Sequence, residues 1–225
     1  MDYFVNENVQ PKSHYEYIVE EKQPFRAAAI KERAFYAMDQ LEGWCSKYKA
    51  SILIDFVLLL KPQTVVEIGV FGGKSLVPLA FAVKENKVGK IYGIDPWSSV
   101  QSAVGMEGEH KDYWSTIDHD AILQNLVEKI CRFELEEQTL LIRCTSADAL
   151  PIENIDFLHI DGNHSEKSAY FDVNKWVPLV RKGGLIIFDD LDWDTTSKAT
   201  EWLDVHCIKL VEYQGDNSWA VWIKL

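Results

Sequence analysis

The sequence predicts a doubly wound α/β sheet of seven strands, mostly parallel, with helices on both faces and a C-terminal antiparallel hairpin. Three observations carry this. Short apolar runs recur at 65–68, 90–95, 139–143, 155–161 and 185–190, as expected of strands buried on both faces. Helical runs at 75–83, 122–131 and 168–180 lie between most of them, the alternation that joins parallel strands through crossover helices. Two further alternating runs, 207–213 and 219–224, are joined by Gln214-Gly215-Asp216-Asn217-Ser218, a hairpin signal.

In chain order, residues 1–23 are polar, with Pro11 as punctuation, and read as an arm. From Pro24 the positions Phe25, Ala28, Ala29, Glu32, Phe35, Tyr36, Met38, Asp39 and Trp44 follow helical spacing, with the proline near the helix start. A second helical run, 51–60, is ended by Lys61-Pro62. Residues 1–49 therefore form an N-terminal arm and helices, and 50–225 the main domain. Strand one ends in a carboxylate, Glu67, and turns through Gly69, Gly72 and Gly73 into a helix; strand two ends in Asp95. Residues 97–132 are too long for a simple connection. An insertion after a strand's C-terminal end lies above the site in such sheets, so this one is expected to act as a lid. Lys182-Gly183-Gly184 reads as a turn before strand five.

The bulk properties narrow the possibilities. At 225 residues and 47% hydrophobic composition the chain can bury a full core. It has no run of about eighteen apolar residues and no basic-then-apolar leader, so neither a membrane span nor a signal peptide is expected. Cys45, Cys131, Cys144 and Cys207 are scattered, which suits reduced thiols in the cytoplasm rather than zinc ligands or disulfides. A net charge of −12 without a basic stripe argues against a nucleic-acid partner.

The glycine loop fits neither common phosphate cradle. A P-loop ending in Gly73-Lys74-Ser75 needs glycine at 68, which is Ile; a dinucleotide fingerprint from Gly69 needs glycine at 71, which is Phe. Glu67 at the strand tip would repel a pyrophosphate and suits a cationic ligand, while Asp95 has the usual position for gripping ribose hydroxyls. A ribose-bearing, cationic, phosphate-free cofactor points to S-adenosylmethionine. The pattern Glu67-x-Gly69-x-x-x-Gly73-x-Ser75 with Gly93-Ile94-Asp95 resembles motifs I and II of class I, Rossmann-like SAM-dependent methyltransferases, over roughly residues 50–225. In the catechol-type branch the equivalents of Glu67, Ser75 and Asp95 contact the cofactor, and a loop after strand three contacts the adenine. That resemblance implies cofactor roles for Ser146, Ala147 and Asp148 beside Gly69 and Gly73.

Three carboxylates stand at strand tips on the ligand side: Asp161, Asp189 and Asp190. With strands four and five expected beside strand one, the tips converge. Three oxygen donors at a cleft suit Mg²⁺, and without a cation close carboxylates raise one another's pKa. Gly162 lets the chain turn so that His164 points back over this cluster, where an imidazole can take a proton from a hydroxyl. The Asp161-Gly162-Asn163-His164 element with Phe188-Asp189-Asp190 resembles metal-dependent O-methyltransferases acting on sugar hydroxyls of macrolides and related natural products. In those the three acids bind Mg²⁺ and the histidine is the proposed base; Asp161 is the second candidate for proton removal.

His159 reads as core, and Lys167 as solvated. Trp97 and Trp193, with Trp114 behind them, are candidates to wall the acceptor pocket. The expected partners are a small hydroxyl-bearing acceptor and a second copy of the chain through the N-terminal helices. Rival readings are a metal-independent N- or C-methyltransferase, a non-catalytic SAM-binding protein, and a hydroxylase similar to those of cephalosporins, which share the acidic pattern.

Overall fold

The computed structural model describes residues 23–215 and 217–225. The arm expected over 1–23 therefore lies, but for Gln23, outside the described residues, as does Asp216 in the C-terminal turn. The first helix, α1 (Gln23–Met38), starts beside Pro24 as the sequence predicts. The second, α2 (Lys47–Leu60), starts four residues earlier than its apolar run, because Ser46 caps it: Ser46 Oγ accepts from Lys49 N at 3.1 Å. It ends where Lys61 turns left-handed at φ 49° and Pro62 forbids another turn.

Then follow β1 (Thr64–Ile68), α3 (Leu76–Asn86) and β2 (Lys90–Asp95). The long insertion holds three helices, α4 (Ser99–Ser102), α5 (Gly108–Thr116) and α6 (His119–Arg132). Next come β3 (Thr139–Arg143), β4 (Ile155–Ile160) and α7 (Glu166–Trp176). A 3-10 turn, Val177–Leu179, follows α7 where Pro178 lacks the N–H a longer helix needs. The chain closes with β5 (Val180–Asp189), α8 (Ser197–His206), β6 (Cys207–Tyr213) and β7 (Trp219–Lys224).

The seven strands form one sheet in the order β3-β2-β1-β4-β5-β7-β6. Among the described residues the antiparallel pairings are those of β7 with β5 and with β6, which confirms the hairpin. Two expectations need correction. β4 lies beside β1, but β5 lies beyond β4, so Asp189 and Asp190 reach the site from two strands away. Lys182-Gly183-Gly184 is not a turn before the strand. It lies within β5 as a bulge, because Ile155 pairs with Val180 and Phe157 already with Leu185, leaving Asp156 opposite four residues.

The sheet is covered on both faces, which is why its central strands read as unbroken apolar runs. One core joins Val65, Phe157 and Ile187 to residues of α1, α2, α3 and α6. The other joins Val66, Leu158 and Ile186 to residues of α7 and α8. Side chains alternate along each strand, so Glu67 shares the face of Val65, His159 that of Phe157, and Asp189 that of Ile187. The register sets Glu67 opposite His159, and His159 opposite Ile187. Three titratable groups thus reach the C-terminal edge of the face that α2 covers. Among the described residues no helix is long and apolar enough to cross a membrane.

Candidate active site

A cavity of about 690 Å³ opens at the C-terminal ends of the parallel strands. The strand tips supply Gly69, Asp95, Asp161 and Asp189 to its wall; the insertion supplies Met106, His110, Tyr113 and Trp114; the segment before α2 supplies Trp44, Cys45 and Ser46. Side chains from 97–132 thus border the cavity, where the lid was expected.

The floor is the turn after β1. Gly69 sits at φ +82° against β4's tip; a Cβ there would stand 1.9 Å from Asp161 O. Gly73 shows the same φ, and its Cβ would fall 2.3 Å from Leu126 Cδ1 of α6, so Gly73 faces the core and not the cavity wall. The turn presents few free N–H groups. Val70 N and Phe71 N donate to Asp95 Oδ2 at 3.0 and 2.9 Å, and Trp97 N to Asp95 Oδ1 at 2.6 Å. The carboxylate that the sequence sets aside for ribose thus also holds the loop together. Burial raises Asp95's pKa, and the three backbone donors partly offset that.

Glu67 is placed differently from the expectation of direct cofactor contact. It is fully buried behind the cavity wall. Ser75 Oγ donates to its Oε1 at 2.6 Å, and His159 Nδ1 lies 3.5 Å from its Oε2. Ser75 takes Oε1, while Oε2 and His159 Nδ1 are buried without a hydrogen-bond partner. Ser75 itself lines the cavity.

On the opposite side, Thr145, Ser146 and Ala147 line the cavity, but Asp148 does not. Asp148 is exposed and accepts from Thr145 Oγ1 at 2.7 Å, closing its own tight turn. The carboxylate at this end is instead Asp172 of α7, 2% exposed, bonded to Ser146 Oγ at 2.5 Å. Lys175, one turn on, donates to the carbonyls of Ser146, Ala147 and Ala149 at 2.7 to 2.8 Å. The i, i+3 spacing of Asp172 and Lys175 puts both on one helix face, which clamps the loop.

Trp97 is a further correction. It does not wall the cavity: it is 1% exposed, and its Nε1 donates to Phe71 O at 2.8 Å. Trp193 and Trp114 do line the cavity. The ring of Trp193 packs between His164 at 4.9 Å and His110 at 5.0 Å. Trp44, placed by the spacing in the first helix, instead lies beyond its end at Met38, lines the cavity and stacks on Phe71 at 5.5 Å.

The expected triad of Asp161, Asp189 and Asp190 divides into two groups that share Asp161. Asp161, His164 and Asp190 bring one donor atom each within 4.8 Å of one another, as do His159, Asp161 and Asp189. His164 Nε2 lies 3.1 Å from Asp190 Oδ2. The second group has a member the sequence did not reveal. Lys49, 4% exposed, forms an ion pair with Asp189 Oδ2 and lies 3.1 Å from His159 Nε2. Its sequence signal was weak: Lys49 shares the first turn of the helix with Lys47, and nothing in the spacing tells the buried lysine from the exposed one. His159 is fully buried, as read, but belongs to this polar network rather than to the apolar core.

The charges order one another. Burial would raise Asp189, but Lys49 and His159 outweigh it and hold the group low. Burial and the Asp189 charge push Asp161 well above the ordinary carboxylate value, and burial raises Asp190 against the pull of His164. Burial and Lys49 depress His159, yet Asp189 and Glu67 lift it to about 9. Lys49 is held above its usual value by Asp189 and Asp161, against burial. Burial pushes the Cys45 thiol up to about 12, which excludes it as a nucleophile at neutral pH.

Residues 66–191, more than half of the chain, match the family described as Methyltransferase domain. The uncharacterized protein R132 of Acanthamoeba polyphaga mimivirus is 32% identical over 127 residues, 56% of this chain and 51% of that protein. The match thus spans about half the length of that relative. Among solved structures, the O-methyltransferase from Bacillus cereus in complex with SAH superposes with a TM-score of 0.60 at 15% identity, over 87% of this chain and 91% of that one. The O-methyltransferase TomG from Streptomyces achromogenes, involved in tomaymycin synthesis and in complex with SAM, does so at 0.59 and 15%, over 88% and 90%. With its glycine turn, its strand-tip acids and this match, the chain belongs to the methyltransferase-domain family and has the Rossmann-like fold of class I methyltransferases.

Proposed function

We propose that this protein transfers a methyl group from S-adenosylmethionine to a hydroxyl of a small molecule, a sugar or natural-product intermediate, with the help of Mg²⁺ or a similar divalent cation. One observation carries the reading. Asp161, His164 and Asp190 converge on the cavity wall, and beside them Asp189 Oδ1 is buried with no hydrogen-bond partner. A buried, unpaired carboxylate oxygen is costly, and a cation among these oxygens would remove that cost. Asp161, Asp189 and Asp190 would hold the ion, which when bound lowers the pKa of a coordinated hydroxyl.

The cavity also fits the methyl donor. Its volume suits a nucleoside-sized ligand. Asp95 uses three of about four acceptor positions on backbone N–H groups, leaving one on Oδ1 for a ribose hydroxyl. Ser146 and Ala147 face the adenine end, held there by Asp172 and Lys175. At the other end, His164 is oriented by Asp190 and by the ring of Trp193. The acceptor oxygen would bond to the methyl carbon as the sulfur–carbon bond breaks, and the hydroxyl proton would pass to the ring nitrogen of His164 that does not face Asp190. The aromatic wall of Trp44, Trp114 and Trp193 keeps water away and holds the acceptor in line.

The test is turnover on a panel of hydroxyl acceptors, with EDTA and then with added Mg²⁺. Loss of methyl transfer with chelator and its return with Mg²⁺ is the expected result. Full activity of an Asp189→Ala, Asp190→Ala double variant in metal-free buffer overturns the metal part. A second reading keeps the donor and drops the metal, the acids holding an amine acceptor. The Lys49–Asp189 pair favours it, because a fixed ammonium already offsets one carboxylate. Chelator-insensitive methylation of an amine would establish it.

A further inference from the structure

We propose that Lys49 is the resident positive charge of the acidic cluster and sets how tightly that cluster takes a divalent cation. The idea deepens the metal reading above and rests on it only for its bearing on catalysis. Lys49 comes from α2, outside the region that matches the family. It is nonetheless buried at the cavity wall, with its ammonium on Asp189 Oδ2 and 3.1 Å from His159 Nε2. A buried ammonium without a partner is strongly unfavourable, so this lysine and this aspartate were placed for each other.

The placement is rigid. The Ser46 cap sets the helix start, and Lys49 N is the group the cap receives. The ammonium is therefore delivered by a helix terminus packed on the sheet, not by a loose surface side chain.

Two consequences follow. Lys49 occupies one oxygen of Asp189 and leaves Oδ1, buried and unpaired, as the single oxygen it can offer. The fixed charge also repels any cation that binds to Asp161 and Asp190 nearby. Both effects weaken the site for a divalent ion, which keeps the ion exchangeable and its remaining positions open. Lys49 is thus a positioning residue, acting through Asp189.

The test is Mn²⁺ binding to the full chain, read by the loss of the free-ion electron paramagnetic resonance signal. Wild type is compared with K49Q, K49M and K49R. K49Q keeps a hydrogen-bond donor for Asp189 without the charge, so it carries the test if K49M does not fold. Removing the charge is expected to tighten Mn²⁺ binding by about tenfold or more, with K49R within about threefold of wild type. A lysine that merely supported the fold would instead weaken Mn²⁺ binding together with thermal stability. K49Q binding no tighter than wild type overturns the proposal. If wild type binds no Mn²⁺ and K49Q does, the metal leaves the proposed function while Lys49 keeps its role as the cluster's cation. If neither binds, both readings fall.

Discussion

Ser75 Oγ donates a 2.6 Å hydrogen bond to Glu67 Oε1, across the turn that joins β1 to α3. Both residues are buried, Glu67 completely and Ser75 to 5% exposure. The bond explains why Ser75, at the helix start, makes no side-chain cap to its own helix. The hydroxyl is already committed to the strand tip, and through Glu67 it reaches His159 and the Lys49–Asp189 pair.

Replacing Ser75 by alanine leaves a buried carboxylate oxygen without its donor. The expected cost is about 1–3 kcal/mol of stability, measured by chemical denaturation. Because Glu67 no longer has a fixed orientation toward His159, turnover should fall as well. Unchanged stability would mean that water or a neighbouring group replaces the hydroxyl without loss.

Gly69 and Gly108 make a paired experiment on backbone geometry. Both have positive φ, +82° and +55°, but a Cβ on Gly69 meets Asp161 O at 1.9 Å whereas nothing lies within 4 Å of one on Gly108. Gly108→Ala should cost about 1 kcal/mol, the strain of a left-handed residue alone. Gly69→Ala should cost about 3 kcal/mol or more and should also weaken SAH binding, because the tips of β1 and β4 must separate. Equal thermal shifts for the two variants would refute the close approach.

Asp172 predicts a pH dependence. Burial raises its pKa to about 6, against the opposing pull of Ser146 and Lys175. The native state therefore holds the proton more tightly than the unfolded chain, whose carboxyl titrates near about 3.9. Its contribution to stability is fully present below about pH 4, declines as pH rises toward 6, and stays lost above that, by on the order of 3 kcal/mol. Asp172→Asn removes the ionisation, so its melting temperature should gain on wild type between pH 4.5 and 7.5. A constant offset across that range would show that Asp172 does not titrate there.

Much of the architecture was legible because periodicity and punctuation are local. Apolar runs ending in carboxylates marked the parallel strands, and Gln214 to Ser218 between alternating runs marked the hairpin. That Asp161, Asp189 and Asp190 reach one edge of the sheet was also readable, since strand tips in such a sheet share it, but not their division into two groups around Asp161. What was misread depends on contacts distant in sequence. Asp148 and Asp172 lie 24 residues apart in the chain, and only packing decides which carboxylate meets the cavity. Trp97 follows a strand tip, as a pocket residue would, yet the turn after β1 folds over it.

The sequence alone determined the kind of fold, the family signature and the identity of the acids at the strand tips, because side-chain alternation and turn chemistry act over a few residues. Tertiary structure decided how those acids are balanced. The register set Glu67 beside His159, and the packing of α2 carried Lys49 across 140 residues of chain to Asp189. A buried charge takes its partner from whatever the fold brings within reach, and that distance in space is not written in the spacing of the chain.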